Sequence, residues 1–305
     1  MLNFLYAFDK NYNLQGYTSI FSLLESVNEK INITLLLDAS NFNQEIPLKI
    51  KNHKNLNLLN KKYLNLDKEF YNLEDSHVSK ATFYRLYIDN SIESSSQYLI
   101  YLDCDVISLK NPIPVLYKII EKMIENKLPF AMADELYRSD HDEAFQRLSM
   151  SSDKYFNAGF MIIDLKNWVS NNLTDKSIQK INLLKDKAKF WDQDILNSLI
   201  DGNYLSLSSG LNYKSFNRAE VVKKIYFLHF SGKTKPWEVG GYYENFAEIY
   251  HDNYKKLFGE EFHITCKNRK NSILRLLSAF RKTRVNFKFI KYLVKSLIVI
   301  LKKLN

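Results

Sequence analysis

Tyr98-Leu99-Ile100-Tyr101-Leu102-Asp103-Cys104-Asp105-Val106 is an apolar run that ends by delivering two carboxylates two residues apart. A short apolar run closed by polar residues reads as a buried strand, and open α/β sheets bind their ligands at the carboxyl ends of such strands. Two hard oxygen ligands placed there can hold Mg²⁺ or Mn²⁺ and leave coordination positions for substrate phosphates. Asp also closes strands for ordinary turn reasons, so the pair carries a structural reading as well.

Outward from this run, the chain alternates short apolar segments with longer amphipathic ones, the pattern of strands separated by helices in an α/β sheet. Strands are expected over Leu2–Phe8, Ile31–Leu37, Tyr98–Leu102, Pro129–Ala133, Phe160–Leu165 and Ile225–Phe230. Helices are expected over Leu14–Asn28, Ser79–Asp89, Pro112–Glu125, Thr174–Leu184 and Gln193–Ile200. Residues 39–75 are rich in Asn and Lys without clear periodicity and receive no element. No internal repeat and no Gly/Ser linker interrupts the chain, so one α/β domain over 1–261 followed by a tail over 262–305 is the expected organisation.

The 305 residues are 46% apolar and 25% charged, which excludes global disorder and a polytopic membrane protein. Net charge is +9, a value that would suit a phosphate-rich partner. The excess is local, however. No acidic residue follows Glu261, while twelve Lys and Arg do, leaving 31 basic against 34 acidic residues in the body. Nucleic acid is therefore not an expected partner, and the basic tail reads as an attachment device. From Phe287 onward, Ile290, Leu293, Val294, Leu297 and Leu301 recur at helical spacing beside a stripe of Lys288, Lys291, Lys295 and Lys302. A basic amphipathic helix of this kind suits an anionic membrane surface, although packing back on the domain is the plainer reading.

Two cysteines, Cys104 and Cys266, make no disulfide framework and no metal-ligand spacing, which points to a reducing compartment. The N-terminal stretch has no cationic leader and is broken at Asp9, and no apolar run approaches the length of a membrane span, so a cytoplasmic protein held at the inner face of the membrane is expected. With eight glycines and no G-x-G-x-x-G, a dinucleotide site of the usual kind is excluded. Gly232-Lys233-Thr234 imitates the end of a P-loop, but the position of that motif's first glycine is Phe227.

Six segments occur in order: Tyr6-Ala7-Phe8-Asp9-Lys10-Asn11-Tyr12, Thr82-Phe83-Tyr84-Arg85-Leu86, Asp103-Cys104-Asp105, Tyr155-Phe156-Asn157-Ala158-Gly159, Trp191-Asp192-Gln193-Asp194-Ile195-Leu196-Asn197, and His229-Phe230-Ser231-Gly232-Lys233-Thr234-Lys235-Pro236-Trp237. Over about residues 2–240 their order and spacing resemble glycosyltransferase family eight, in particular its bacterial lipopolysaccharide α-galactosyltransferases. The resemblance implies a GT-A fold with a mixed central sheet. It also implies a UDP-sugar donor, UDP-galactose or UDP-glucose, with Mn²⁺ or Mg²⁺, a glycan or glycolipid acceptor, and retention of anomeric configuration.

By position, the resemblance makes Asp103, Asp105 and His229 the metal ligands; an imidazole beside two carboxylates suits Mn²⁺ better than Mg²⁺. Ala7, Asp9, Asn11 and Tyr12 match the loop that receives uracil and ribose, with Cys104 offering its backbone to the ribose. Asp9 also reads as a helix N-cap. Gly232 and Lys235 match the diphosphate contacts. Arg85 matches a donor-sugar ligand, with a surface ion pair as its plainer reading. Asp192 and Gln193 line the donor sugar, Gln193 facing the anomeric carbon, and Asn157 and Ala158 close the same pocket. Capping of a helix start explains one or both of Asp192 and Asp194 without any substrate. Asp192, Gln193 and Lys235 are thus the expected catalytic residues, and His77 and Asp134 match acceptor-side positions. Since D-x-D also opens the site of haloacid-dehalogenase-type phosphatases, that activity is the leading rival, and a lectin-like or polybasic adaptor is a third reading.

Overall fold

The computed structural model describes residues 1–38, 43–64, 80–88, 92, 97–135, 141–184, 187–215, 225–232, 235–238, 241–242, 246–262 and 294. In chain order its elements are β1 (Asn3–Ala7), α1 (Asn13–Ser26), β2 (Ile31–Asp38), α2 (Leu48–Lys51), β3 (Leu56–Leu64), β4 (Tyr98–Leu102), β5 (Val106–Ser108), α3 (Ile113–Glu125), β6 (Phe130–Asp134), α4 (His141–Arg147), β7 (Phe156–Asp164), α5 (Leu165–Ser170), α6 (Leu173–Leu184), α7 (Trp191–Ile200), β8 (Leu205–Leu207), β9 (Tyr213–Lys214), β10 (Phe227–His229) and α8 (Ala247–Phe258). Three 3-10 turns, Lys10–Tyr12, Lys80–Leu86 and Ser209–Leu211, join them. The chain divides into two compact units, Met1–Tyr213 with Val221–His229 and Lys214–Glu220 with Phe230–Asn305.

Among the described residues the first unit holds a seven-stranded sheet of order β3-β2-β1-β4-β7-β6-β8. β1 lies between β2 and β4 and is parallel to both. β7 runs antiparallel to β4 and to β6, so the sheet is mixed. Every residue of β1 is buried, which is why its sequence is almost continuously apolar and does not alternate. The chain leaves β1 towards β2 on one side and later returns to β4 on the other. Such a reversal of strand order opens a crevice at the strand ends, and Ala7 and Leu102 end side by side there, with Tyr6 in register with Leu102. A separate antiparallel pairing, β5 with β10, sets His229 opposite Val106.

Below the sheet, Trp168 packs edge-on against Phe130 and joins Met132, Met161, Ile163 and Leu196 in one core. In the second unit, α8 presents Tyr250 to Trp237 at 5.1 Å between ring centroids, and Phe262 stacks on His251.

Several expectations need correction. The helix expected over 79–89 is a 3-10 turn at Lys80–Leu86. β7 begins at Phe156, four residues before its expected start: Phe156 pairs with Asp134 beyond a register shift, and the buried Asn157, Ala158 and Gly159 span that irregularity. α7 starts at Trp191, so Asp192 lies inside its first turn. β3 falls in the stretch that received no element: as an edge strand it leaves Asn57, Leu58, Lys61 and Tyr63 exposed and shows no regular alternation. α4, α5 and β8 were also unassigned. The amphipathic helix expected after Phe287 lies outside the described residues, apart from Val294. Among the described residues no helix is long and apolar enough to cross a membrane.

Gly16, buried in α1, shows how tightly the helix meets the end of β1. A Cβ there would stand 2.6–2.8 Å from the ring of the fully buried Phe8. Ala is the better helix former by about 1 kcal/mol, but overpacking a rigid ring costs about 1–3 kcal/mol. Gly16→Ala is therefore expected to lower Tm by a few degrees; an unchanged or raised Tm in a thermal melt would show that the ring yields.

Candidate active site

Asp103 follows β4 directly, and its amide donates to Gly159 O at 2.9 Å, so the strand pairing continues to the first carboxylate. The turn that follows is closed by Val106 N donating to Asp103 O at 3.1 Å, which returns Asp105 to the same crevice. His229 arrives from β10. Its Nε2 lies 3.2 Å from Asp105 Oδ1 and 4.0 Å from Asp103 Oδ2. One ligand atom from each of the three residues lies within 4.8 Å of the others, and two carboxylates with an imidazole form a donor set suited to a divalent transition ion. Gly159 makes room for this cluster, because a Cβ there would overlap the imidazole of His229.

Arg85 projects from the 3-10 turn into the floor of the crevice. Its Nη2 pairs with Asp103 Oδ1 at 2.7 Å and its Nε with Asp192 Oδ2 at 2.9 Å, while Nη1 donates to Ala158 O at 2.8 Å. The guanidinium lies over the Tyr101 ring, 4.7 Å from its centroid. Burial works against the charge of Arg85, but Asp103 and Asp192 outweigh it and hold the group protonated above its usual range. The ion pair that is the plainer reading of Arg85 is thus a buried one, at 7% exposure, and not a surface one. Tyr101 OH donates to Asp103 Oδ1 at 2.7 Å, so both donors converge on that oxygen, while Oδ2 is the Asp103 atom nearest His229 Nε2.

Asp192 accepts from Thr82 Oγ1 at 2.6 Å beside its pairing with Arg85. Burial pushes its pKa up to about 6, against the opposing pull of Arg85 and Thr82. Trp191, just before it, has φ 46°, a left-handed backbone that costs an aromatic residue about 1–3 kcal/mol. Gln193 Oε1 accepts from Asn157 Nδ2 at 3.0 Å and from Ala158 N at 3.2 Å. Asp194 is fully buried and accepts from Tyr155 OH, Phe190 N and Arg147 Nη1. Its link to Phe190 N is the helix-start role expected of one of the two carboxylates.

Asp9 does act as a cap, accepting from Asn11 N at 2.8 Å at the head of the turn Lys10–Tyr12. That turn follows β1, whose end stands beside the end of β4. Ala7 is buried, Asn11 exposed and Tyr12 half-buried. Cys104 is half-buried and in no disulfide. Asp134 accepts from Tyr204 OH at 2.6 Å and Ser206 Oγ at 3.2 Å. His77 lies outside the described residues. Gly232 and Lys235 belong to the second unit, where Gly232 has φ 85° and Lys235 Nζ donates to Phe230 O at 2.6 Å. Sequence reading missed Thr82, Glu135, Tyr155 and Asn212, which bond to the expected residues; Thr82 and Tyr155 stood inside the quoted segments, while no sequence signal marked the other two.

The family model described as Glycosyl transferase family 8 matches residues 3–240. The chain belongs to this family. It is 29% identical over 215 residues to General stress protein A of Bacillus subtilis, covering 63% of this chain and 70% of the relative. It is 27% identical over 255 residues to a lipopolysaccharide 1,2-glucosyltransferase of Escherichia coli K12, covering 77% and 73%. Among solved structures, the galactosyltransferase LgtC, crystallised with donor and acceptor sugar analogues, superposes with a TM-score of 0.71 at 20% identity, covering 87% of this chain and all of LgtC. The fold is the GT-A fold, and membership of the glycosyltransferase family sets the phosphatase and adaptor readings aside.

The shift at Asp192 has a sign that can be tested. Because its folded pKa of about 6 exceeds the ordinary 3.8, the folded state binds the proton more tightly, and the group's contribution to stability falls as pH rises between those values. The stability of wild type relative to Asp192→Asn should therefore decline from about pH 4 to about pH 6 and then level off in chemical denaturation; a difference that grows over this window would mean that Arg85 dominates burial.

Proposed function

We propose that this glycosyltransferase moves galactose or glucose from a UDP-sugar onto a saccharide acceptor, a lipopolysaccharide or another cell-surface glycan, with retention of configuration and with Mn²⁺. The observation that carries the reading is the convergence of Asp103, Asp105 and His229 at the end of β4, where the strand order reverses. Names of relatives such as lipopolysaccharide 1,2-glucosyltransferase and 1,3-galactosyltransferase support the acceptor class.

In this reading Asp103, Asp105 and His229 hold the ion. When bound, it supplies positive charge to the diphosphate as UDP departs. Ala7, Asp9, Asn11 and Tyr12, from the turn after β1, receive the uridine beside Cys104. Arg85, Asp192, Asn157, Ala158 and Gln193 surround the sugar. Lys235 enters from the sequence resemblance, as a point charge for the leaving diphosphate. A double displacement needs a carboxylate beneath the anomeric carbon. Gln193 is a neutral amide, and Asp194 is fully buried and already accepts three donors. Front-face departure, in which the leaving phosphate assists deprotonation of the acceptor, is the route these residues favour.

The segment 262–305 completes the proposal as a basic tail that holds the enzyme on the anionic inner face of the cytoplasmic membrane. Phe262 is buried against α8, so it belongs with the folded part. A chain ending just after Phe262 is expected to lose binding to anionic liposomes and still cleave UDP-sugar; retained liposome binding would reassign the tail.

Mn²⁺ with UDP should raise Tm together, since ligand at about 100 times its Kd adds roughly 2.7 kcal/mol of stability. A panel of UDP-sugars should then show Mn²⁺-dependent hydrolysis of UDP-galactose or UDP-glucose that Asp105→Ala abolishes without unfolding the protein. No stabilisation, or full turnover in Asp105→Ala, would defeat the reading. Lys235→Ala should depress kcat more than it raises KM; a change in KM alone would make it a uniform binding group.

A further inference from the structure

Gln193 and His229 lie on one run of side-chain hydrogen bonds whose direction follows from groups that can only donate or only accept. Backbone amides only donate. Ala158 N therefore requires the amide oxygen of Gln193 to face it, at 3.2 Å, and Gly159 N requires the amide oxygen of Asn157, at 3.0 Å. With its oxygen so fixed, Asn157 turns its NH₂ to Gln193 Oε1 at 3.0 Å and to Glu135 Oε2 at 3.1 Å. The same Asn157 oxygen accepts from Asn212 Nδ2 at 2.8 Å, which leaves Asn212 Oδ1 facing His229 Nδ1, also at 2.8 Å. An acceptor there obliges Nδ1 to carry a proton, so in the neutral imidazole it is Nε2 that holds the lone pair facing Asp105 and Asp103. At the other end, Gln193 Nε2 donates to Tyr155 OH at 3.3 Å, and Tyr155 OH donates to Asp194, held by Arg147 Nη1 at 2.8 Å. A carboxylate that is ion-paired and fully buried is the natural terminus of such a run.

We propose that Asn212, Tyr155 and Asp194 are positioning residues: a single directional hydrogen-bond chain, from His229 Nδ1–H to the Asp194 carboxylate, sets both the imidazole tautomer of His229 and the amide orientation of Gln193. The inference rests on the transferase reading above for what these two residues do, but the chain itself is a property of the folded protein. Because Gly159 N and Ala158 N anchor its middle, its two halves can be cut separately. Loss of Asn212 frees the tautomer and leaves Gln193 held. Loss of the Tyr155 hydroxyl leaves the Gln193 amide held through its oxygen and no longer through its nitrogen, which loosens the side chain and leaves the tautomer alone.

Nitrogen NMR of the metal-free full-length protein, at about pH 8 where an ordinary imidazole is neutral, should show His229 in the Nδ1–H form. Asn212→Leu should lose that single tautomer and weaken Mn²⁺ binding at least about tenfold by EPR titration, in the range reported for partners of metal-bound histidines. Asn212→Asp keeps an acceptor and should restore the tautomer. Tyr155→Phe should keep the tautomer and Mn²⁺ affinity, and lower kcat about tenfold or more with KM for the UDP-sugar within about twofold. An Nε2–H imidazole in the wild type, wild-type Mn²⁺ affinity in Asn212→Leu, or wild-type kcat in Tyr155→Phe would overturn the proposal. Failure of the wild type to turn over any UDP-sugar would instead defeat the functional reading, and the tautomer measurement would still decide the chain.

Discussion

A guanidinium taken out of water is tolerated only where its charge and its donors are met, and Arg85 meets this condition by gathering four stretches of chain. Asp103 closes β4, Asp192 opens α7, Ala158 lies in β7, and Thr82 supplies its carbonyl one turn before Arg85 itself. Breaking a buried ion pair by removing one partner costs about 3–5 kcal/mol, so both carboxylates are bound to this site. The same demand fixes the carboxylates. Asp103 gives one oxygen to Arg85 and Tyr101, and its other oxygen is the one nearer His229. Asp192 is held by Arg85 on one oxygen and by Thr82 on the other.

Strand pairing does the coarser positioning. Parallel β1 and β4 end together, so a turn headed by Asp9 and a turn bearing two aspartates leave the sheet as neighbours. Pairing of β5 with β10 then carries an imidazole from more than a hundred residues away to within 3.2 Å of Asp105. Gly159 is needed for a steric reason at this point, since any side chain on that strand would occupy the space of the ring. The crevice is thus built by backbone register and finished by a few hydrogen-bonded side chains.

Much of this was legible in the residues. β1, β2 and β4 are buried on both faces and read as short, mainly apolar runs, so their existence and type followed from residue type and pattern. Asp103, Asp105 and His229 were found because strand ends and a family resemblance pointed to them. Other features were not legible because they depend on neighbours remote in sequence. β3 is an edge strand with half its face in water, and its polar residues disguise it. The helix expected at Arg85 tightened to a 3-10 turn whose Arg85 reaches Asp103 and Asp192 together. Asn212 carried no signal at all, because an asparagine near a turn is ordinary until an imidazole stands 2.8 Å from it.

By itself, then, the sequence determined the α/β class, the order of its main strands, the concentration of positive charge after Glu261 and the identity of the acidic pair, since each is a local property of residue type and period. Only the tertiary structure decided which oxygen of each carboxylate is engaged, that Arg85 is buried between two of them, and which way round the amides of Asn157, Gln193 and Asn212 stand. Those outcomes depend on directional bonds to backbone amides and charges far along the chain, and no period or composition encodes them.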